Sequence, residues 1–180
     1  MLSLTYLNEA VRFIKEGIIN CLVTAPVSKK AINLNNIRFY GHTEFLARSF
    51  GIRNFVMMFI SKILRVSLVT RHIPLRKICN ILKKESIYAT VFLTYEALKN
   101  YFKIEYPKIA ICGLNPHASE NELIGREEKE IIIPAINQLK RKLAIDDLIC
   151  GPFSADTVFY RALKKEFDIV VCMYHDQGLI

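Results

Sequence analysis

The sequence predicts an α/β fold in which a parallel-type sheet carries helices on both faces. Short apolar runs alternate with amphipathic stretches of helical spacing, and the order strand, loop, helix repeats about five times, for which a covered parallel sheet is the usual solution. The run from Ile169 to Tyr174, bounded by Asp168 and His175, has the length and composition of a strand buried on both faces. It delivers "HDQG" to the C-terminal end of that strand, the edge of an open α/β sheet where ligands bind.

With 180 residues, 52% hydrophobic and 23% charged, the chain is long enough to bury a substantial core. No apolar run approaches the roughly 18–20 residues of a membrane span, and the start "MLSLTYLNEA" lacks a basic segment followed by a continuous apolar one, so a cytoplasmic protein is expected. Cys21, Cys79, Cys112, Cys150 and Cys172 are odd in number, widely spaced and mostly inside apolar runs, and they read as buried reduced thiols. The net charge of +8 comes from scattered pairs of Lys and Arg that do not alternate with aromatics, which argues for solvated helix faces and against nucleic-acid binding.

Leu4, Leu7, Val11 and Ile14 recur at helical spacing, so residues 3–16 are expected to form an amphipathic helix that Gly17 stops. Ile18 to Val23 reads as a short strand. It runs into "TAPVSKKAIN", where Thr24, Ser28 and Lys29 sit on a turn that either offers hydroxyls and a cation to an anion or is a plain capped turn. In "FYGHTEFLARSFG", Thr43 is the expected N-cap of a helix running to Phe50 and stopped by Gly51, with His42 just before it. Phe55 to Ile60 and Val66 to Val69 are strands; the second ends in "TRHIP", and Pro74 opens a helix with Leu75, Ile78, Ile81 and Leu82 inward.

Ser86 is the expected cap of a long helix to about Tyr101, and Ile109 to Cys112 forms a buried strand. "GLNPHASENELIG" is a loop. A helix follows from Glu127 onward, with Pro134 predicting a kink or a late start. Leu148 to Cys150 is a short strand, and Asp156 the N-cap of the helix through Leu163 that leads back to the terminal strand. No internal repeat, linker or domain boundary is visible, and no strand is followed by G-x-G-x-x-G, so no motif identifies a nucleotide-binding residue.

All four histidines, His42, His72, His117 and His175, lie past a strand or at a helix start. His72, His117 and His175 follow three distinct strands, and in a parallel sheet they share one edge. Three neutral imidazoles with an open fourth position describe a catalytic metal site. Protons compete for such ligands around the reference histidine pKa of about 6.5, so metal affinity is expected to fall below that pH.

The segments "LVTAPVSKKAIN", "YGHTEFLA", "TRHIPLR", "GLNPHASE", "GREEKEIIIPAI", "GPFSADTVF" and "MYHDQGLI" stand in the order and approximate spacing of the 4-hydroxythreonine-4-phosphate dehydrogenase family of pyridoxal phosphate biosynthesis, which the chain resembles over nearly its whole length. The resemblance implies a fold like that of isocitrate and isopropylmalate dehydrogenases, with two α/β/α domains around a cleft. It implies a divalent metal (Zn, Co or Mg) on His72, His117 and His175, and His42 and Thr43 on the phosphorylated substrate. It also implies a homodimer in which His175 comes from the opposite subunit, and oxidation of 4-phosphooxy-threonine with NAD or NADP to a β-keto acid that loses CO2. Asp156 and Asp176, the carboxylates nearest these motifs, are candidates to orient ligands or move protons.

Family members carry segments before the residues matched by Met1 and after those matched by Ile180, so the chain is expected to be an incomplete α/β/α region, truncated at both ends, with impaired or lost activity. "SE" stands two residues after His117 where the family has "GE". A metal-dependent hydrolase using activated water shares the histidines but needs neither nicotinamide nor Thr43, and a non-catalytic remnant needs none of them.

Overall fold

A computed structural model of the chain describes residues 2–34 and 39–179. They form two compact units, 1–55 and 56–180, each considered by itself.

In the first unit, helix α1 (Leu2–Lys15) forms where the apolar periodicity places it, burying Leu7 and Val11. Arg12 bridges Glu9 and Glu16, one turn away on either side, each at 2.9 Å. Gly17 ends the helix at φ +73, the left-handed region that costs glycine nothing. Ile18 to Val23 is not a strand: Ile18 and Val23 are exposed, and among the described residues of this unit there is no strand to complete a ladder. Ser28 caps the short helix α2 (Lys29–Asn33) by accepting from the Ala31 amide at 3.2 Å, so the turn is a capped one. Helix α3 (His42–Ser49) begins two residues earlier than expected. Gly41 is its N-cap and Thr43 lies inside the first turn, because the Phe45 amide already bonds to the Gly41 carbonyl. Leu7, Ile32 and Phe39 form the unit's small core.

The second unit is a five-stranded sheet in the order β1-β2-β5-β3-β4. Strands β2 (Arg65–Leu68), β3 (Ile109–Cys112), β4 (Ile149–Phe153) and β5 (Ile169–Cys172) are parallel. Strand β1 (Met57–Ile60) runs antiparallel to β2, a tight hairpin being all that the short connection between them allows. Helix α4 (Ile78–Ile81) follows a 3₁₀ turn at Leu75–Lys77 that Pro74 introduces. Helix α5 (Lys84–Asn100) starts before Ser86, which therefore sits in its first turn and is not its cap. Ahead of α6 (Ile133–Leu143), residues Glu128–Ile132 form a π turn, and Pro134 occupies the first turn of α6, the late start that its missing N–H favours. Helix α7 (Ala155–Leu163) has Ser154 as its N-cap, with Asp156 one residue inside. Helix α8 (His175–Gly178) closes the described chain.

Side-chain alternation divides the core. Ile109, Ile111, Ile169 and Val171 face α5 and α6, whereas Ala110, Cys112, Val170 and Cys172 face α7 through Val158 and Ala162. All four residues of β5 are buried, as a central strand covered on both faces requires. The Cys112 and Cys172 thiols meet across β3 and β5 at 3.8 Å. This contact, and burial after it, push the Cys172 thiol well above its ordinary pKa. Cys21 and Cys79 are exposed, contrary to the sequence expectation: Cys21 lies in the segment that is not a strand, and Cys79 on the outer face of α4. Leu98, fully buried near the end of α5, packs at the N-terminal edge of the sheet. Leu98→Ala is expected to cost about 2–5 kcal/mol in denaturant unfolding.

Candidate metal centre

The parallel strands bring three histidine-bearing loops to one edge of the sheet, since β2, β5 and β3 are neighbours there. His72 lies in the loop after β2. His175 is the first residue of α8, three residues beyond Cys172 at the end of β5. Their ring centroids are 5.5 Å apart, at an interplanar angle of 43°. A metal–nitrogen bond of about 2.0–2.1 Å puts a ligated ring centroid about 3.2 Å from the ion, and two such centroids at a tetrahedral angle about 5.2 Å apart. The observed separation is close to that spacing. His175 Nδ1 is 2.8 Å from Asp176 Oδ1, the carboxylate–imidazole arrangement that leaves Nε2 free as a ligand. Phe59 of β1 packs edge-on against the His175 ring at 6.4 Å, and His72, His175 and Asp176 line an open cavity of about 330 Å³.

His117 reaches the same edge from β3 but not the same point. Among the described residues no group of three or more His, Cys, Asp or Glu side chains is placed to hold an ion. A single chain thus pairs His72 with His175, not with His117, a different grouping from the one the family resemblance implies. His117 Nδ1 stands 3.7 Å from Asp156 Oδ2, whose other oxygen accepts from Ser154 Oγ at 2.5 Å. Both partners are more than half exposed, so this ion pair adds little stability. The loop itself is unusual: every residue from His117 to Glu122 has positive φ, between 45° and 73°, and none is glycine. Ser119, where the resembled family has glycine, holds φ +66 without glycine's freedom.

What braces this loop was not legible as function in the sequence. Glu128, 2% exposed, accepts from the Leu114 and Asn115 amides at 2.7 Å each through Oε1, and from Asn115 Nδ2 at 2.9 Å through Oε2. Glu127 Oε2 takes the second Asn115 Nδ2 hydrogen at 2.8 Å, which holds the Glu127 carboxyl below its usual pKa. Gln177, also buried, accepts from the Met173 amide and donates to the Gly113 carbonyl, both at 2.7 Å. The only hint in the sequence is position: Glu128 and Gln177 stand inside the "GREE" and "HDQG" motifs.

Gly178 lets α8 lie flat on the sheet. A Cβ there would come 2.7 Å from Val66 Cγ1 and 2.9 Å from Cys172 Sγ. Gly178→Ala is expected to cost about 1–3 kcal/mol by overpacking, read as a lowered thermal midpoint.

In the first unit, His42 opens α3 with Phe39 edge-on at 5.8 Å, and its Nε2 is buried without a hydrogen-bond partner, as is Glu44 Oε2. His42 and Thr24 line an apolar cavity of about 250 Å³. Thr43, half-buried, lies in the first turn of α3, whose amide dipoles favour an anion.

Comparison with known proteins adds the family. The sequence model described as "Pyridoxal phosphate biosynthetic protein PdxA" matches residues 1–180. The chain belongs to the PdxA family. A 4-hydroxythreonine-4-phosphate dehydrogenase of Desulfosudis oleivorans is 43% identical over 175 residues, covering 97% of this chain and 51% of the relative. A protein of Oceanobacillus iheyensis, provisionally named D-threonate 4-phosphate dehydrogenase, is 43% identical over 96% of this chain and 51% of its own length. The crystal structure of 4-hydroxythreonine-4-phosphate dehydrogenase from Klebsiella pneumoniae superposes with a TM-score of 0.86 at 34% identity, over 96% of this chain and 51% of that one. The PdxA chain described here spans about half the length of the curated relatives it matches. Its mostly parallel sheet is the PdxA-type α/β architecture, and among the described residues no helix is long and apolar enough to cross a membrane.

Proposed function

We propose that this chain carries the metal-binding part of an NAD- or NADP-dependent dehydrogenase acting on 4-phosphooxy-L-threonine in pyridoxine 5'-phosphate biosynthesis. The observation that carries the reading is the His72–His175 pair, spaced for one ion, with Asp176 on Nδ1 of His175. His72, His117 and His175 are the proposed ligands of a Zn, Co or Mg ion. When bound beside a substrate alcohol, such an ion lowers the alcohol's pKa and polarises the ketone that forms. Because one chain groups only two of the three imidazoles, the donor set is proposed to be completed between the subunits of a homodimer. Asp176 and Asp156 act as orienting carboxylates, each facing one histidine. His42 and Thr43 contact the substrate phosphate, for which the unpartnered Nε2 of His42 and the start of α3 are suited.

The family includes relatives named for two substrates, so the test compares them. The purified chain with Zn²⁺ or Co²⁺ is mixed with NAD⁺ or NADP⁺ and either 4-phosphooxy-L-threonine or D-threonate 4-phosphate, and reduced nicotinamide is followed. Reduction with the first substrate, impaired beside that of a full-length relative and abolished by chelator, is the expected result. Reduction with D-threonate 4-phosphate alone would overturn the substrate assignment, and turnover indifferent to chelator would overturn the metal's part in it.

A further inference from the structure

The three histidine loops are joined beneath the surface by one continuous run of buried hydrogen bonds, centred on the Met173 peptide. Met173 is fully buried at the end of β5, two residues before His175. Its carbonyl accepts from both the amide of Thr70, at 3.1 Å, and the Thr70 hydroxyl, at 2.6 Å. Thr70 is 6% exposed and lies two residues before His72. The Met173 amide donates to Gln177 Oε1 at 2.7 Å, and Gln177 Nε2 donates to the Gly113 carbonyl, also at 2.7 Å. Gly113 opens the loop that carries His117, and the next two amides of that loop end on Glu128. The path is therefore loop of His72, Thr70, Met173, Gln177, Gly113, loop of His117, with His175 on the same turn as Gln177.

We propose that Gln177 and Thr70 are positioning residues that set the spacing of the histidine-bearing loops for metal binding; this rests on the metal-site reading above. The paired registers end at Leu68, Cys112 and Cys172, and past them single backbone bonds, Val69 and Thr70 to the Cys172 and Met173 carbonyls and Gly113 to Phe153, are followed by irregular loops whose spacing depends on the side-chain bonds that tie them together. A glutamine side chain has one acceptor and one donor end, and here both are used on backbone groups of different loops in a place sealed from water. Neither residue touches the ion in this scheme. Each acts through the loops, and a purely structural role would change stability while leaving metal affinity alone.

Co²⁺ and Zn²⁺ titrations of the whole chain, with thermal unfolding in parallel, separate the two. Gln177→Leu keeps the bulk and removes both bonds. It is expected to weaken Co²⁺ affinity about 10–100-fold, the loss typical of removing an outer partner of a ligand. Thr70→Val, which keeps the amide bond and loses the hydroxyl one, is expected to weaken it in the same direction, and Thr70→Ser to restore it. Leu98→Ala, at the opposite edge of the sheet, serves as a destabilised control that keeps parental affinity. Should Gln177→Leu fail to fold, the Thr70 pair decides alone. If the parent binds Co²⁺ and His72→Ala does not, yet Gln177→Leu and Thr70→Val bind as the parent does, the positioning role is overturned and the metal site stands. If the parent binds no Co²⁺ or Zn²⁺, both fall.

Discussion

His72→Ala is expected to weaken Zn²⁺ or Co²⁺ binding by more than the 10–100-fold typical of losing a second partner, and His72→Ala with His175→Ala to abolish measurable binding. The argument is one of donor count. A single chain brings two imidazoles within 5.5 Å of each other, and no third His, Cys, Asp or Glu completes the group among the described residues. Removing either ring takes one of the three imidazoles from the proposed donor set, and removing both leaves the ion on His117 and water, too few donors to offset the cost of stripping its hydration shell. Asp176→Asn should fall between, about 10-fold, because it keeps the ring and weakens only the charge behind Nδ1. Isothermal titration with Zn²⁺ measures all three. Equal affinity for the parent and the double variant would place the ion elsewhere.

Glu128→Ala is expected to destabilise the second unit strongly. The substitution strips the partner from two half-buried backbone amides, Leu114 and Asn115, and leaves the Asn115 side chain with Glu127 alone. A fully buried orphaned donor costs about 1–3 kcal/mol, and these two are half-buried, so the total is about 2–4 kcal/mol. Glu128→Gln keeps an oxygen for the amides but sets an NH2 group against Asn115 Nδ2, so a smaller loss is expected. Urea unfolding followed by circular dichroism orders the three proteins. A Glu128→Gln protein as unstable as Glu128→Ala would show that charge, and not the acceptor oxygen, is what the loop requires.

Much of this arrangement is legible in the sequence, and the omissions have physical causes. Ile109–Cys112 and the start of β5 at Ile169 stand where their apolar runs place them, because a strand covered on both faces needs a continuous apolar run and little else shares that pattern. Ile18–Val23 has the same composition and forms no strand, since hydrophobicity cannot reveal whether a neighbouring strand exists to pair with. Thr43, Ser86 and Asp156 all fall within the first turn and not at the cap. Hydroxyl and carboxylate side chains serve both places, so the sequence marks a helix start without fixing its residue. Strand order places the three histidines at one edge, and that much follows from a parallel sheet. Which imidazoles meet depends on the side-chain directions of irregular loops: the left-handed run from His117 to Glu122 sets one of them, and nothing in "HASENE" announces it, since none of those residues is glycine. Glu128 and Gln177 escape for another reason. In "GREEKE" a buried carboxylate looks like its solvated neighbours, and burial is a property of the fold.

The five thiols, unequal in burial, make the protein its own unfolding gauge. Cys21 in the first unit and Cys79 in the second are open to an alkylating reagent in the native state, whereas Cys112 and Cys172 lie sealed between β3 and β5, the latter further protected by a raised pKa that starves it of thiolate. Mass spectrometry of partly alkylated protein would therefore show two fast additions at Cys21 and Cys79, an intermediate one at the half-buried Cys150, and then a slow pair whose rate, divided by that of a free thiol, reports how often the sheet opens. Because those two cysteines sit directly before the loops of His117 and His175, the same trace recorded with and without Zn²⁺ would express metal binding as a change in the waiting time of the core.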